Sequence, residues 1–189
     1  VIIMKIQKWY SLSIALALFS FGISAQIIAQ NRTIKNDVFW NTKEGLPLNS
    51  QGGGIFKFPD PKTAKQKYFW YGVHYAEADL YRADPSVTHE KNNFEAVTCY
   101  SSTDLVNWTF EKNVLSKEEA NKTGKTWVGR LGVCFIKEKH KYAMFVQHGS
   151  EVLITLSDSP TGEFLWDKKI NMEKMIGTSN TGDQTVFTD

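Results

Sequence analysis

The sequence predicts an all-β fold in which four-stranded antiparallel units repeat, as they do in the blades of a β-propeller. Short runs rich in aromatic and β-branched residues recur along the chain, separated by clusters of turn residues such as 157–162. Helix signals are few. The pattern of the first runs also returns later, with Ser101 matched by Ser157 and Trp108 by Phe164, both at an offset of 56 residues.

Composition and charge describe an ordinary globular chain. The 189 residues are 42% hydrophobic, 13% aromatic and 22% charged, which is enough apolar material for a sizeable core. Lysine and arginine nearly balance the acidic residues, leaving a formal net charge of +2. That balance argues against a nucleic-acid-binding arm or a polybasic membrane patch.

The N-terminus has the pattern of a secretory signal peptide. Lys5 and Lys8 flank the start of an apolar run over 12–19, and small residues follow up to Ala25. The run is about a dozen residues long, whereas a membrane-spanning helix needs roughly 20. We therefore expect residues 1–25 to be a cleaved leader, with an N-terminal anchor as the alternative. The mature protein is then exported, to the periplasm or outside the cell, with no membrane span.

The first repeated unit follows a polar tether at 26–36. We predict blade I over about 50–112, with strand-like runs at 53–57, 67–73, 96–100 and 108–111. A polar insertion over 76–93 occurs in this unit alone. After the unit, Ser116 and Glu119 have the spacing of a helix capping box.

The second unit, blade II, is predicted over about 127–168. Its strand-like runs lie at 132–137, 142–146, 152–156 and 164–167, and a third blade is predicted to begin at 183–189. Several runs are apolar throughout, which favours sheets covered on both faces, as stacked blades are. The propeller domain is therefore assigned to 37–189, with a β-sandwich carrying a coincidental repeat as the alternative.

Cys99 and Cys134 both lie in apolar strand-like runs. Buried thiols are the ordinary expectation for such positions, and export also permits a disulfide, so both states stay open. Two cysteines 35 positions apart do not have the spacing of a zinc site.

Three segments have distinctive sequences: Gln-Gly-Gly-Gly-Ile at 51–55, Tyr-Phe-Trp-Tyr-Gly at 68–72, and Cys-Tyr-Ser-Ser-Thr-Asp-Leu-Val-Asn-Trp at 99–108. Together they are similar to the opening blade of glycoside hydrolase family 43. Residues 182–189 resemble the start of that family's third blade, and the whole looks closest to the branch of exo-β-1,3-galactanases and arabinogalactan-acting enzymes. The resemblance implies a five-bladed β-propeller that hydrolyses galactose or arabinose linkages of plant polysaccharide with inversion.

The resemblance also implies that this chain holds about two and a half blades. Five units of about 56 residues need roughly 280, whereas 164 remain after removal of the leader. We therefore expect an incomplete chain without hydrolytic activity of its own. The family's general acid, a glutamate of the fourth blade, would fall beyond Asp189.

Asp183 matches the family's third catalytic carboxylate, which modulates the general acid. Most members place the catalytic base where Ser50 and Gln51 stand, and neither is a carboxylate. The galactanase branch shares this absence and is thought to use a glutamine from a later blade. A non-catalytic glycan-binding propeller is the alternative.

Other side chains are candidates for sugar contact because their motifs lie near the predicted mouth of the channel. They are Gln51, Tyr71, His74, Trp127, Arg130 and His148. Core packing for Tyr71, a structural role for His148 and an ion pair between blades for Arg130 are the competing interpretations. We expect a monomer that binds an oligosaccharide or polysaccharide without a cofactor, although the full propeller could hold a channel cation such as calcium.

Overall fold

Two antiparallel four-stranded sheets make up most of the structure. A computed structural model describes residues 33–122, 124, 127–177 and 182–187, so the predicted leader at 1–25 and most of the tether at 26–36 lie outside the described residues. The first sheet contains β1 (Gln51–Pro59), β2 (Gln66–Tyr75), β3 (Phe94–Ser102) and β4 (Thr109–Ser116). The second contains β5 (Leu131–Ile136), β6 (Lys141–His148), β7 (Glu151–Ser157) and β8 (Leu165–Asn171).

In each sheet, every strand pairs with the next strand along the chain, in the orders β1-β2-β3-β4 and β5-β6-β7-β8. This is the simple meander of a propeller blade, whereas β-sandwiches are commonly built with Greek-key connections. The all-β prediction is confirmed, and the meander order favours blades over the sandwich alternative. The number of blades in the whole protein stays a prediction.

The repeat read from the sequence has a structural basis. Trp108 and Phe164 each stand directly before the fourth strand of their sheet, and both are fully buried. Ser101 and Ser157 lie in the third strands, where Ser101 pairs with Phe69 and Ser157 with Tyr142. Residues 56 positions apart therefore have the same structural role in the two sheets, which explains the repeat.

The two sheets share one core. The Tyr71 hydroxyl donates a 2.6 Å hydrogen bond to the Pro160 carbonyl, and the Tyr71 ring meets Phe164 edge-on at 6.1 Å. Phe58 meets Tyr142 edge-on at 5.1 Å. Continuous apolar strands such as β3, buried at all but one of its nine residues, follow from this face-to-face packing.

Helical structure is limited to short segments: α1 (Ala78–Ala83), α2 (Lys117–Asn121), α3 (Met172–Ile176) and a 3₁₀ turn (Lys137–Lys139). Half of the predicted capping box forms, because Ser116 Oγ accepts a 3.2 Å hydrogen bond from Glu119 N. The Glu119 carboxylate does not complete the box, since it accepts a hydrogen bond from Trp166 N at 2.9 Å and pairs with Lys122. None of the described helices is long and apolar enough to span a membrane.

Cys99 and Cys134 are both free thiols. Burial raises the pKa of the Cys99 thiol far above its usual range, so it remains neutral in the core. Of the two alternatives left by the sequence, the structure therefore contains the unbridged one.

Asp104 organises the turn between β3 and β4. Its carboxylate accepts hydrogen bonds from Val106 N at 2.9 Å and from Asn107 N at 2.7 Å. Partial burial raises the pKa of Asp104, but the hydrogen bonds from Asn107, Val106 and Ser102 outweigh it and hold the pKa well below the usual range. The aspartate in the motif at 99–108 is thus a turn-forming residue.

We expect Asp104→Ala to lower the free energy of unfolding by about 2 kcal/mol at neutral pH, since it removes hydrogen bonds to a charged acceptor. Because the folded pKa lies below the unfolded one, this contribution is present above about pH 4 and is lost as pH falls further. Urea unfolding at several pH values should show that the difference in free energy of unfolding between wild type and variant becomes smaller in acid. Thr103→Ala, at an exposed position of the same turn, is the control. A gap that does not change with pH would contradict this account.

Candidate functional site

A cavity of about 1000 Å³ opens beside the start of β1. Its walls come from the segment before β1, the insertion after β2, the segment before β5 and the stretch around Asp183. The side chains that line it include Phe39, Gln51, Tyr81, Trp127, Arg130 and Asp183.

The residues directly before β1 are held in place by hydrogen bonds to the first sheet. Asn49 N donates to the Tyr100 hydroxyl at 3.0 Å, and Thr98 Oγ1 donates to the Asn49 carbonyl at 2.7 Å. The chain can approach β2 this closely because position 72 is glycine: a Cβ there would lie 2.2 Å from Ser50 Oγ. This packing leaves Gln51 exposed at the cavity.

The wall at 127–130 is held by the second sheet and by β2. Gln147 N donates to the Arg130 carbonyl at 2.7 Å, and Gln147 Oε1 accepts from Arg130 N at 3.2 Å. The Tyr75 hydroxyl donates to the Val128 carbonyl at 2.7 Å. Burial raises the pKa of Tyr75, which keeps this hydroxyl protonated as a donor. The indole of Trp127, 41% exposed, is thus presented from a fixed backbone.

Arg130 and Asp183 form an ion pair, with Arg130 Nε 3.2 Å from Asp183 Oδ1. Both side chains are open to solvent, at 45% and 74% exposure, so the pair contributes at most about 1 kcal/mol to stability. The same exposure leaves both groups accessible to a ligand. Nearby, Val186 packs so closely on Gly132 that a Cβ there would lie 2.8 Å from Val186. Residues 182–187, where the third blade is predicted to begin, contain neither helix nor strand.

Of the seven predicted site residues, four line the cavity: Gln51, Trp127, Arg130 and Asp183. The structure does not bring the other three there. Tyr71 is fully buried between the sheets, and burial raises the pKa of its hydroxyl well above the usual value. His148 is buried at the end of β6. His74 is half-buried, with Nε2 3.4 Å from Asn49 Nδ2.

Sequence reasoning missed the contribution of the insertion. The sequence identified residues 76–93 only as a polar insertion in the first unit and assigned none of them to the site. Instead Glu77 and Tyr81 line the cavity, together with Phe39 from the segment before β1. The signal that could have identified this wall is an aromatic residue, Tyr81, inside a polar stretch.

No group of three or more histidine, cysteine, aspartate or glutamate side chains with metal-binding proximity occurs among the described residues. The cavity wall instead combines an indole, a guanidinium, an amide and a carboxylate. An indole stacks on an apolar ring face, and the other three groups form hydrogen bonds with hydroxyls. A saccharide has both an apolar ring face and hydroxyl groups.

No protein-family model and no curated protein sequence matches the chain. Solved structures do. An exo-β-1,3-galactanase from Clostridium thermocellum is 24% identical, with a TM-score of 0.57 over 72% of this chain and 27% of that one. A family 43 β-1,3-galactosidase solved with galactodeoxynojirimycin is 25% identical, with a TM-score of 0.57 over 72% of this chain and 38% of that one.

A third structure, an exo-β-1,3-galactanase from Phanerochaete chrysosporium solved with galactose, is 22% identical, with a TM-score of 0.57 over 73% of this chain and 30% of that one. The predicted resemblance to glycoside hydrolase family 43 is therefore confirmed at the level of the fold. The chain spans less than two fifths of the length of these three structures.

Proposed function

We propose that the protein is an exported, monomeric glycoside hydrolase of family 43 type, acting with inversion on galactose or arabinose linkages of arabinogalactan-type polysaccharide. Within that protein, this chain supplies one wall of the sugar-binding site. The observation that carries the proposal is the meeting of Gln51, Trp127, Arg130 and Asp183 at one cavity, from separate parts of the chain. Turnover is proposed for the whole protein, and saccharide binding for this chain.

Each of these groups has a role in holding a sugar. The exposed Trp127 indole offers a flat apolar face to the C–H side of a galactose ring. The Arg130 guanidinium can donate to sugar hydroxyls from the N–H groups that Asp183 does not use. Asp183 is the acid-modulating carboxylate in this proposal. No residue of this chain is assigned as general acid or base.

A glycan-binding propeller without turnover is the second candidate. Inverting hydrolysis needs two carboxyl groups about 6.5–9.5 Å apart with water between them. Ser50 and Gln51 stand where most of the resembled family carries the base, and Glu77 is engaged with Asn93. This candidate keeps the saccharide site and predicts binding without hydrolysis.

Titration of the chain with galactose tests the saccharide site that both candidates require. We expect saturable binding by isothermal titration calorimetry, and a rise in Kd of about tenfold or more for Trp127→Ala, because the stacking face is lost. Trp166→Ala is the matched control, since Trp166 on β8 is 40% exposed and does not line the cavity. Absence of binding by the wild type, or equal losses in both variants, would refute the site.

A further inference from the structure

We propose that Tyr81 and Phe39 form a second saccharide subsite, so that the cavity recognises an oligosaccharide rather than one sugar ring. This inference rests on the proposed function and extends it. Tyr81 belongs to α1 in the insertion, and Phe39 belongs to the segment that precedes β1. Both line the same cavity as Trp127 and Asp183.

The insertion is fixed at its base. The Ala76 amide donates to the Asn93 carbonyl at 2.9 Å. The Glu77 carboxylate accepts a 2.9 Å hydrogen bond from Asn93 N and a second from Asn93 Nδ2. This hydrogen bonding lowers the pKa of Glu77 and keeps it ionised as an acceptor. The two ends of the insertion are thereby held together, and the wall is in place before a ligand arrives.

Arg82 fastens the insertion to the segment that carries Phe39. Its guanidinium donates to the Trp40 carbonyl at 3.2 Å and to Asn41 Oδ1 at 2.8 Å. The same group lies over the Phe39 ring, 4.8 Å from its centroid. One arginine thus sets the position of Phe39 relative to α1.

The aromatic pair itself is open. Tyr81 and Phe39 meet edge-on at 5.8 Å and an interplanar angle of 88°, yet they are 49% and 42% exposed. The comparable edge-on pair of Tyr71 and Phe164 is fully buried in the core. An exposed aromatic pair on a fixed cavity wall suits a ligand with an apolar face and polar rim, and a pyranose ring has both.

The size of the cavity leaves room for this second ring. Its volume of about 1000 Å³ lies at the upper end of the range of about 300–1000 Å³ found for small-molecule sites. Trp127, Arg130 and Asp183 come from parts of the chain other than those that provide Phe39 and Tyr81. In this proposal one sugar unit contacts the first group and a neighbouring unit contacts the aromatic pair.

The test compares galactose with β-1,3-galactotriose as ligands in calorimetric titrations. Tyr81→Ala should raise the Kd for the trisaccharide about three- to tenfold, the expected loss of one aromatic contact, and change the Kd for galactose less than twofold. Tyr81→Phe keeps the ring and should retain most of the affinity. Phe39→Leu, which keeps apolar volume but removes the ring, should repeat the effect of Tyr81→Ala.

Leu80→Ala is the matched control, because Leu80 is the neighbour of Tyr81 on α1, is 60% exposed and does not line the cavity. Equal effects of Tyr81→Ala and Leu80→Ala would overturn the second subsite, as would equal losses for both ligands. If the wild type binds galactose but gains no affinity from the longer ligand, the subsite is refuted while the proposed function stands. If the wild type binds neither ligand, the proposed function fails and the subsite falls with it.

Discussion

Gly53→Ala is expected to lower the free energy of unfolding by at least about 3 kcal/mol, a large part of the roughly 5–15 kcal/mol that is typical of a folded domain. A Cβ at position 53 would lie 1.7 Å from the Tyr71 carbonyl oxygen and 2.8 Å from Gly72 Cα. These are backbone atoms of the neighbouring strand, so no side-chain rotation can relieve the overlap. Relief requires β1 to separate from β2, which also displaces Gln51 from the cavity.

Gly45→Ala is the control for the Gly53 prediction. Gly45 has φ +82° with nothing within 4 Å of a built Cβ, so alanine there meets backbone strain without a clash. We expect a loss of about 1 kcal/mol. Urea unfolding followed by tryptophan fluorescence compares the two variants. If Gly53→Ala unfolds at the same urea concentration as Gly45→Ala, the close packing of β1 on β2 is wrong.

Asp183→Asn is expected to lower kcat/KM for hydrolysis of β-1,3-galactan by the whole protein about 100-fold, a typical contribution for a group that supports proton transfer. Asparagine keeps the size of the side chain but removes the charge that pairs with Arg130 at 3.2 Å. Because that pair is exposed, the folded state should lose little stability. The loss should therefore appear in kcat while the melting temperature stays close to that of the wild type.

Asp158→Asn is the control for the charge change itself. Asp158 pairs with Lys141, is 84% exposed and does not line the cavity. Its substitution should leave kcat/KM within about twofold of the wild type, as expected for a surface position. Equal activity of Asp183→Asn and Asp158→Asn would remove Asp183 from the catalytic machinery.

The strands were predictable because each depends on local composition. Aromatic and β-branched runs such as the one at 67–73 become β2, and turn residues separate them. The repeat was predictable because Trp108 and Phe164 fill equivalent buried positions. Strand composition depends on neighbouring residues, and the repeat can be seen by comparing two segments 56 residues apart. One sequence is therefore enough to predict both.

The placement of site residues was predictable only in part. Motif position indicated that Tyr71 and His148 lie near the site, but not which face of their strands they occupy. Successive residues of a strand point to opposite faces of the sheet. A correctly predicted strand therefore does not show which of its side chains face the core and which face the cavity. Tyr71 packs between the sheets because Phe164 and the Pro160 carbonyl, about 90 residues later in the chain, complete its environment.

The wall formed by the insertion was not predictable from composition. A polar stretch normally indicates a solvated loop. The fixed geometry of 76–93 depends on hydrogen bonds between residues far apart in the sequence: Glu77 with Asn93, 16 residues later, and Arg82 with Trp40, 42 residues earlier. Half of the capping box failed for the same reason, since the Glu119 carboxylate binds Trp166 N, 47 residues away. Long-range partners decided each of these cases.

The central proposal is that this cavity belongs to an inverting glycosidase, and β-linked galactose is the linkage that tests it. The most direct test is proton NMR of β-1,3-galactan during digestion by the whole protein, read before the released sugar mutarotates. The account predicts that galactose appears first as the α anomer, because water attacks the face opposite the departing chain. Release of β-galactose first, or no release from a protein that binds galactose, would contradict it.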